Sequence, residues 1–192
     1  ATGKRSAAFM ASISARNAAT AVGGPPPTGT TRTTQQIVDT LRTASGRTNH
    51  AVQVAGEIDT PHADLPVDPY VLGAWLGDGS RGCGGITGID DGIFERIEAA
   101  GYVVTHSPTE AKRHHVIGLV PHLRAAGVLH DKHVPAAYLR AAPVQRRALL
   151  QGLMDTDGHA NKSGAAEFDN TNKRLIDAVY ELVVSLGMKA FL

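Results

Sequence analysis

The sequence predicts a mixed α and β domain that is built from two related halves. From Asp68 onward, stretches with helical periodicity alternate with short strand-like stretches, a pattern typical of mixed α and β folds. Two phrases, "VLGAWLGDGS" at residues 71–80 and "LLQGLMDTDGHA" at residues 149–160, share one skeleton, an apolar helix with small residues that ends in an Asp-Gly pair. A repeat of this kind predicts two pseudo-symmetric halves.

Composition limits the classes of protein to which the chain can belong. Its 19 basic and 18 acidic residues give a formal net charge of +1, so total charge says little about partners. The single cysteine, Cys83, excludes an internal disulfide and a Cys-cluster zinc site, and it fits a reducing cytoplasm. No run approaches the roughly 18 apolar residues that a membrane span needs.

The first 66 residues differ in character from the remainder. Residues 1–38 contain no Asp or Glu and are rich in Ala, Ser, Thr, Gly and Pro, so we expect poor packing or disorder there. Three prolines between residues 59 and 69 place a domain boundary near residue 66. The prediction is therefore a low-complexity segment and connector at 1–66 and the main domain at 67–192.

The secondary structure follows from periodicity and from turn residues. In the connector, Thr33 or Thr34 can cap a short helix, and "HAVQVAGEI" at residues 50–58 alternates like a strand. The main domain is predicted to contain, in order, helix 69–78, strand 84–90, helix 91–100, strand 102–106, strand 114–119, helix 120–127, a helical turn at 135–141, helix 144–157, strand 164–169, helix 172–186 and the start of a strand at 188–192.

The two Asp-Gly phrases predict a close helix pair. Gly73 and Gly77 are four residues apart, as are Gly152 and Thr156, so each helix carries small residues along one face. Such faces let two helix backbones approach each other closely. The repeat has a constant offset of 79 residues, which aligns Gly73, Asp78 and Gly79 with Gly152, Asp157 and Gly158.

Close packing of these helices would bring two carboxylates together. Asp78 and Asp157 follow at the C-terminal ends of the paired helices, where they repel each other unless a cation intervenes or one is protonated. A hard divalent ion, Mg²⁺ or Mn²⁺, resolves that conflict. The carbonyl groups of Gly77 and Thr156, at the same helix ends, are further candidate ligands.

At these residues the sequence resembles a known family. "VLGAWLGDG" and "LQGLMDTDG" resemble the two copies of the LAGLIDADG motif of homing endonucleases, in particular the dodecapeptide type found in inteins. The first copy departs from the pattern at Leu76, where the pattern has its earlier Asp. "DKHVPAAYLRAAPVQRRALLQGLMDTDG" is similar to the intein block that leads into the second motif, and residues 34–66 resemble the connector of mycobacterial-type helicase and terminase inteins.

The resemblance implies a fold, an activity and a set of roles. The fold would be two halves whose motif helices pair above a saddle of strands that lies on double-stranded DNA. Asp78 and Asp157 would be metal ligands in phosphodiester hydrolysis, Lys132 the basic residue beside them, and Lys189 a weaker candidate for the matching lysine. The implied enzyme is a Mg²⁺-dependent, site-specific endonuclease of an intein, acting as a pseudo-twofold monomer in the cytoplasm at the nucleoid, with a replicative DNA helicase as the host protein.

A basic stretch supports a nucleic-acid partner independently of the resemblance. Residues 111–147 hold seven Lys or Arg and five His but only one acid, Asp131. If strands 102–106 and 114–119 pair, they form a ribbon that can enter a major groove. The candidate DNA-contacting residues are Lys112, Arg113, His114, His115, Arg124, Arg140, Arg146 and Arg147.

Other interpretations remain open at this stage. One Asp-Gly phrase alone would be an ordinary helix end, Lys132 alone a solvated lysine, and the basic stretch a solvated face. "DTDGH" does not fit a calcium loop, because its Gly is at the fourth position. The alternative to an enzyme is a DNA-binding module or an inactive intein fragment. Intein splicing residues are not arranged at the two ends, so splicing by this chain alone is not expected, and the second half is predicted to be truncated after "GMKAFL".

Overall fold

The computed structural model describes residues 31–51, 55–162 and 164–192. It confirms a mixed α and β fold in which the described residues form seven helices and two small antiparallel sheets. In chain order these are α1 (Thr34–Asp39), α2 (Pro69–Asp78), β1 (Gly85–Thr87), α3 (Asp91–Ala99), β2 (Val103–His106), β3 (Arg113–Ile117), α4 (Leu119–Ala125), α5 (Ala136–Leu139), α6 (Pro143–Asp157), β4 (Gly158–Ala160), β5 (Ala166–Phe168) and α7 (Lys173–Ser185).

Helix α2 is the centre of the molecule. Asp68 caps its first turn by accepting hydrogen bonds from Tyr70 N and Val71 N, and Pro69 occupies the first helical position, where no amide donor is needed. Every residue from Tyr70 to Leu76 is buried. A short helix that is apolar on all sides must be surrounded by other elements, which explains why the core assembles around it.

Helices α2 and α6 pack directly against each other through their small residues. A Cβ added at Gly73 would lie 2.3 Å from Leu149 O, and one added at Gly152 would lie 2.2 Å from Tyr70 O. At the next turn, a Cβ on Gly77 would lie 2.0 Å from Thr156 Oγ1. The residues of the predicted helix interface, Gly73, Gly77, Gly152 and Thr156, therefore lie at the contact between the two helices.

The first half places a three-stranded sheet beside the helix pair. Its order is β1-β3-β2, and β3 pairs antiparallel with both neighbours, so the predicted ribbon is present. Alternation along the strands points Ile86, His114 and Val116 into the core. The opposite face is open: it carries Thr87, Val103, Thr105, Arg113, His115 and Ile117, and the Val103 and Ile117 side chains are 62% and 56% exposed.

The two halves repeat each other at the level of pairing. Gly79 forms an antiparallel bridge with Ile86 after α2, and Gly158 pairs with Phe168 after α6. Each hairpin leads into a helix with a polar N-cap, Asp90 before α3 and Asn172 before α7. Pseudo-symmetry therefore extends from the motif helices through the following hairpin and helix.

The structure differs from the sequence prediction in three places. β4 was not predicted, because "GHA" is too short to show alternation. The strand start expected at 188–192 is absent, since these residues pair with no described strand. No strand includes residues 50–51 or 55–58, whereas residues 52–54, like the low-complexity segment 1–30, lie outside the described part of the chain.

Glycines 79 and 158 are not required for their backbone conformation. A glycine that follows a helix often adopts a positive φ, but both residues have ordinary extended backbone, with φ values of −73° and −98°. Space is the constraint instead, because an added Cβ would lie 2.2 Å from Trp75 O and 2.6 Å from Met154 O, respectively. After each motif helix, the chain thus folds back tightly against the helix that it has just left.

The connector packs onto the main domain. Thr60 donates to Ala141 O at 2.7 Å, Ala63 N donates to Gln145 Oε1 at 2.9 Å, and Ile58 N donates to Ser185 O at 2.9 Å. The Tyr138 hydroxyl bonds to both the N–H and the carbonyl of Val67. The division near residue 66 stays a prediction, but the segment preceding it is bound to α6 and α7.

Among the described residues, no helix combines the length and the apolar composition that a membrane-spanning segment requires.

Candidate nuclease site

The two motif carboxylates lie together at the C-terminal ends of α2 and α6. An added Cβ on Gly77 would be 3.3 Å from Asp157 Oδ2, and the charge of Asp157 acts directly on Asp78. Both side chains are half-buried. The helix pairing predicted from small residues therefore has the predicted consequence, since it brings Asp78 and Asp157 to one end of the interface.

Lys132 joins this pair from the segment between α4 and α5. Its Nζ donates to Gly77 O at 2.9 Å and lies 5.2 Å from the centre of the Trp75 ring. The lysine interacts electrostatically with both carboxylates. The structure thus brings together three of the four predicted catalytic residues, which are 25 to 79 positions apart in sequence.

Burial and mutual repulsion set the ionisation of this cluster. Partial burial raises the pKa of Asp78 above its usual value, the Asp157 carboxylate raises it further, and Lys132 opposes both effects. Burial also lowers the pKa of Lys132, although the two carboxylates act in the opposite direction. One lysine does not fully compensate two carboxylates, so the site retains an attraction for further positive charge.

The donor set suits a hard divalent cation. Two carboxylates converge with neighbouring backbone carbonyls, and oxygen ligands of this kind are the ones that Mg²⁺ prefers. Within the described ranges, no cluster of three or more His, Cys, Asp or Glu residues with metal-binding geometry occurs. Gly77 O already accepts from Lys132, and Thr156 Oγ1 bonds back to carbonyls of its own helix, so their roles as metal ligands stay predictions.

Asp155, the earlier acid of the second motif, lies away from this cluster. Its Oδ2 accepts from the Tyr70 hydroxyl at 2.9 Å and lies 3.8 Å from Arg96, so it links α6 to α2 and α3. The aligned residue of the first motif, Leu76, is completely buried in the core. Because both positions are structural, Leu76 does not remove a group from the candidate site.

Sequence reasoning missed two asparagines at the site. Asn170 Nδ2 donates to Asp157 Oδ2 at 2.6 Å, and Asn172 Nδ2 donates to the backbone carbonyl of Lys132 at 2.8 Å. Asn172 corresponds to Asp90, since each residue caps the helix that follows the hairpin of its half, and this correspondence was the one available signal. Nothing in the local sequence "FDNTN" indicates that these two amides hydrogen-bond to Asp157 and to the backbone of Lys132.

Two predicted DNA contacts are wrong, because their side chains are buried. Arg146 is 1% exposed and its guanidinium binds the carbonyl groups of Ile58, Ala141 and Ser185. His114 is 4% exposed and stacks on Phe94 with ring centroids 3.5 Å apart. Both residues stabilise the fold.

The remaining six candidates fall into two groups. Arg140 and Arg147 are exposed but form ion pairs with Glu181 and Glu57, and Arg147 lies ten residues before Asp157 on α6, about 15 Å along the helix axis. Lys112, Arg113, His115 and Arg124 belong to the first half, where Arg113 and His115 lie on the open face of the three-stranded sheet. The Lys112 and Arg124 side chains are exposed, and no hydrogen bond or ion pair joins these side chains to a described residue.

Lys189 is not brought to the carboxylates. Its side chain is exposed, and Nζ lies 4.9 Å from the centre of the Phe191 ring. No hydrogen bond or ion pair joins it to Asp78 or Asp157. The resemblance implied two lysines, and the described residues place only Lys132 at the acid pair.

The repulsion at the acid pair predicts a gain in stability for Asp78→Asn without metal. The folded-state pKa of Asp78 is raised, so folding becomes less favourable as pH rises from the ordinary Asp range through that raised pKa. The penalty is complete once the pH exceeds that raised pKa. We expect the melting temperature to rise by about 2 °C in chelator-treated buffer at neutral pH.

The pH dependence and a control make this test specific. The difference between Asp78→Asn and the parent should shrink as the pH falls towards the ordinary Asp pKa, since protonation removes the same charge. Asp64→Asn, at an exposed carboxyl, should leave the melting temperature unchanged. Equal destabilisation of Asp78→Asn at every pH would show that the carboxylates do not repel.

Comparisons with known proteins agree with this geometry. Residues 144–192 match the model of the LAGLIDADG-like domain, a match that includes α6 and Asp157. The chain is also 45% identical over 161 residues to the replicative DNA helicase DnaB of Mycobacterium intracellulare. That similarity covers 82% of this chain but 26% of the helicase, so the chain spans about a quarter of its relative's length. Residues 144–192, which include the second Asp-Gly motif, are therefore similar to a LAGLIDADG-like domain, as the resemblance of that motif predicted.

Proposed function

We propose that this chain is an intein-encoded, site-specific DNA endonuclease that makes double-strand breaks by metal-dependent hydrolysis. The observation that carries the proposal is the meeting of Asp78, Asp157 and Lys132 at the ends of two helices. Two carboxylates facing a polyanion would weaken simple DNA binding, because like charges repel. A catalytic site gives them a purpose that a binding module does not.

The residues of the chain would divide the chemistry as follows. Asp78 and Asp157 would hold a divalent ion, Mg²⁺ or Mn²⁺, which when bound would polarise the phosphate and lower the pKa of water. Lys132 stabilises the negative charge that develops on the phosphate as the water oxygen bonds to phosphorus and the bond to the leaving sugar oxygen breaks. Asn170 keeps Asp157 oriented by donating to Oδ2.

DNA would lie on the open face of the three-stranded sheet. That face carries Arg113, His115 and two threonines, with Lys112 in the adjoining turn, so it offers cations and hydrogen-bonding groups next to exposed apolar side chains. Arg113 is oriented by Glu110 and by Cys83 Sγ. Exposed Val103 and Ile117 can contact thymine methyl groups, which adds to sequence preference.

The similarity to a replicative helicase suggests the host. The region matched covers only a quarter of that protein, as expected for an inserted segment rather than for the helicase machinery itself. We infer that the host gene encodes a DnaB-type helicase and that the target is its uninterrupted copy. The endonuclease would act as a monomer with pseudo-twofold symmetry, in the cytoplasm at the nucleoid.

Cleavage of an uninterrupted helicase gene tests this function. The parent should cut a duplex that spans the insertion point when Mg²⁺ is added. Asp78→Asn and Asp157→Asn should each lower the cleavage rate about 100-fold or more, while binding of the same duplex without metal is retained. Asp155→Asn is the matched control, because it changes the same residue type in the same motif outside the acid pair.

Three outcomes distinguish the possibilities. Cleavage that survives both substitutions at the acid pair would eliminate the proposed site. Binding of the duplex by the parent without cleavage would favour a DNA-binding module of the same fold. Loss of cleavage in Asp155→Asn with unchanged melting temperature would place Asp155, too, in the chemistry.

A further inference from the structure

The N-terminus of α7 contacts the segment that carries Lys132. Asn172 is the N-cap of this helix, where its Oδ1 accepts from Arg174 N at 3.1 Å. Its Nδ2 donates to Lys132 O at 2.8 Å, across a separation of 40 residues. The Asn172 side chain therefore caps the start of a helix in the second half and also binds the backbone of Lys132, which precedes that half.

Capping alone does not require an amide at this position. Asn, Asp and Ser are about equally good N-caps, because each supplies an oxygen to the first free amides of the helix. Asp90 caps α3 in the other half in this way, accepting from Gly92 N at 3.0 Å. What Asn172 adds beyond a cap is the N–H donor that holds Lys132.

Among the described residues, no backbone N–H or carbonyl group hydrogen-bonds to the Lys132 backbone, so Asn172 supplies a contact that the segment of Lys132 does not. Lys132 lies between α4 and α5 in a stretch without helix or strand, and its side chain is a flexible four-carbon stem. The side chain ends in a hydrogen bond to Gly77 O, so the position of Nζ depends on where the backbone is fixed. The neighbouring ion pair between Arg174 and Asp131 also links this segment to α7, but it is exposed and contributes little to the rigidity of the segment.

We propose that Asn172 is the positioning residue of Lys132. Its Nδ2 fixes the Lys132 backbone so that Nζ binds Gly77 O where it interacts electrostatically with the two carboxylates. For cleavage this rests on the proposed function, whereas the position of Lys132 can be measured without any cleavage. Through this contact the second half of the domain controls a group of the first half.

The position of Lys132 is tested by its chemical reactivity. Reductive methylation of the full chain, followed by mass spectrometry, measures the reaction rate of Lys132 relative to the exposed Lys112. In the parent, Lys132 should react slowly, because Nζ is half-buried and bonded to Gly77 O. In Asn172→Ser, which keeps the cap, the rate of Lys132 should rise about tenfold relative to that of Lys112, as expected when the hydrogen bond that orients the lysine is lost.

Two further variants separate positioning from capping. Asn172→Asp keeps the cap and favours the helix terminus electrostatically, but it places an oxygen against the Lys132 carbonyl. Lys132 should therefore react faster even though the protein is no less stable. Asp90→Ser makes the corresponding change at the α3 cap, and it should leave the Lys132 rate unchanged.

Kinetics on the helicase-gene duplex provide the second measurement. Asn172→Ser should lower the single-turnover cleavage rate by about 10- to 100-fold with an unchanged dissociation constant for the duplex. In a Lys132→Met background the same substitution should have no further effect, because its whole action passes through Lys132. Asp90→Ser should cleave like the parent.

The outcomes separate this proposal from the proposed function. An unchanged methylation rate of Lys132 in Asn172→Ser would overturn the positioning role, whether or not the chain cleaves DNA. An equal fall in cleavage with and without Lys132 would also overturn it. A parent that shows the expected methylation pattern but never cuts would refute the endonuclease and leave the positioning contact established.

Discussion

Gly152→Ala should destabilise the protein by about 3 kcal/mol or more, although alanine favours a helix more than glycine does. The added Cβ would lie 2.2 Å from Tyr70 O, 2.7 Å from Ala74 N and 3.1 Å from Gly73 C. All three atoms are backbone atoms of α2, so no side chain can rotate away. The two helices must separate, and the core that surrounds them must open with them.

Urea denaturation measures this loss as a lower midpoint at an unchanged slope. Gly56→Ala is the matched control, because no heavy atom lies within 4 Å of the Cβ it would add. We expect it to change the free energy of unfolding by no more than about 0.5 kcal/mol. If Gly152→Ala were as stable as Gly56→Ala, the helices would not be in the backbone contact described above.

Separation of the helices also predicts a functional consequence. The acid pair forms because α2 and α6 meet at Gly73 and Gly152, so a wider spacing moves Asp78 away from Asp157. Any Gly152→Ala protein that still folds should lose most of its metal-dependent cleavage. The interface thus sets both the stability of the fold and the geometry of the site.

Arg146→Met is expected to cost about 3 kcal/mol or more of unfolding free energy. The guanidinium binds Ala141 O at 2.9 Å, Ser185 O at 2.9 Å and Ser185 Oγ at 2.6 Å, and it also binds Ile58 O. Methionine fills a similar volume but donates no hydrogen bond. The carbonyl groups of Ile58, Ala141 and Ser185 would lose this donor, and the connector would lose one of its anchors on α6 and α7.

The neighbouring residue provides the control for charge. Arg147→Met removes the same charge one position along the helix, but Arg147 is exposed and makes only an ion pair with Glu57. Loss of the ion pair between Arg147 and Glu57 should lower the free energy of unfolding by at most about 1 kcal/mol. Thermal unfolding with limited proteolysis in the connector would distinguish the two, since only Arg146→Met should release residues 55–66. Equal effects of the two substitutions would contradict the anchoring role of Arg146.

Periodicity predicted well those elements whose ends are marked by residues within the same short stretch of sequence. Helices α2 and α6 were predicted within one residue of their observed ends, because Pro69, Pro143 and the two Asp-Gly pairs mark their termini. The hairpin of β2 and β3 was also expected from its alternation. By contrast, β4 is three residues long and exists only because β5 pairs with it, so no window of sequence could show it.

The basic stretch shows where local reasoning ends. Arg146 and Arg147 have the same charge and adjacent positions, yet one is buried and the other exposed, because a helix turns each successive residue by about 100°. The side on which α7 and the connector pack decides which arginine is free. Likewise His114 and His115 alternate on a strand, and only the packing of α3 on one face buries His114.

By itself the sequence determined the paired motif helices, the repeat of hairpin and helix, and the meeting of Asp78 with Asp157. These follow from spacing within short segments, where 3.6-residue periodicity, the offset of 79 residues between the motif helices and the same order of elements after each are directly visible. Only the tertiary structure decided which other side chains reach the site. It brought Lys132 to the acid pair, left Lys189 outside, and added the amides of Asn170 and Asn172. The reason is physical, since these contacts join segments that are distant in sequence, and their formation depends on how the halves pack rather than on local propensity.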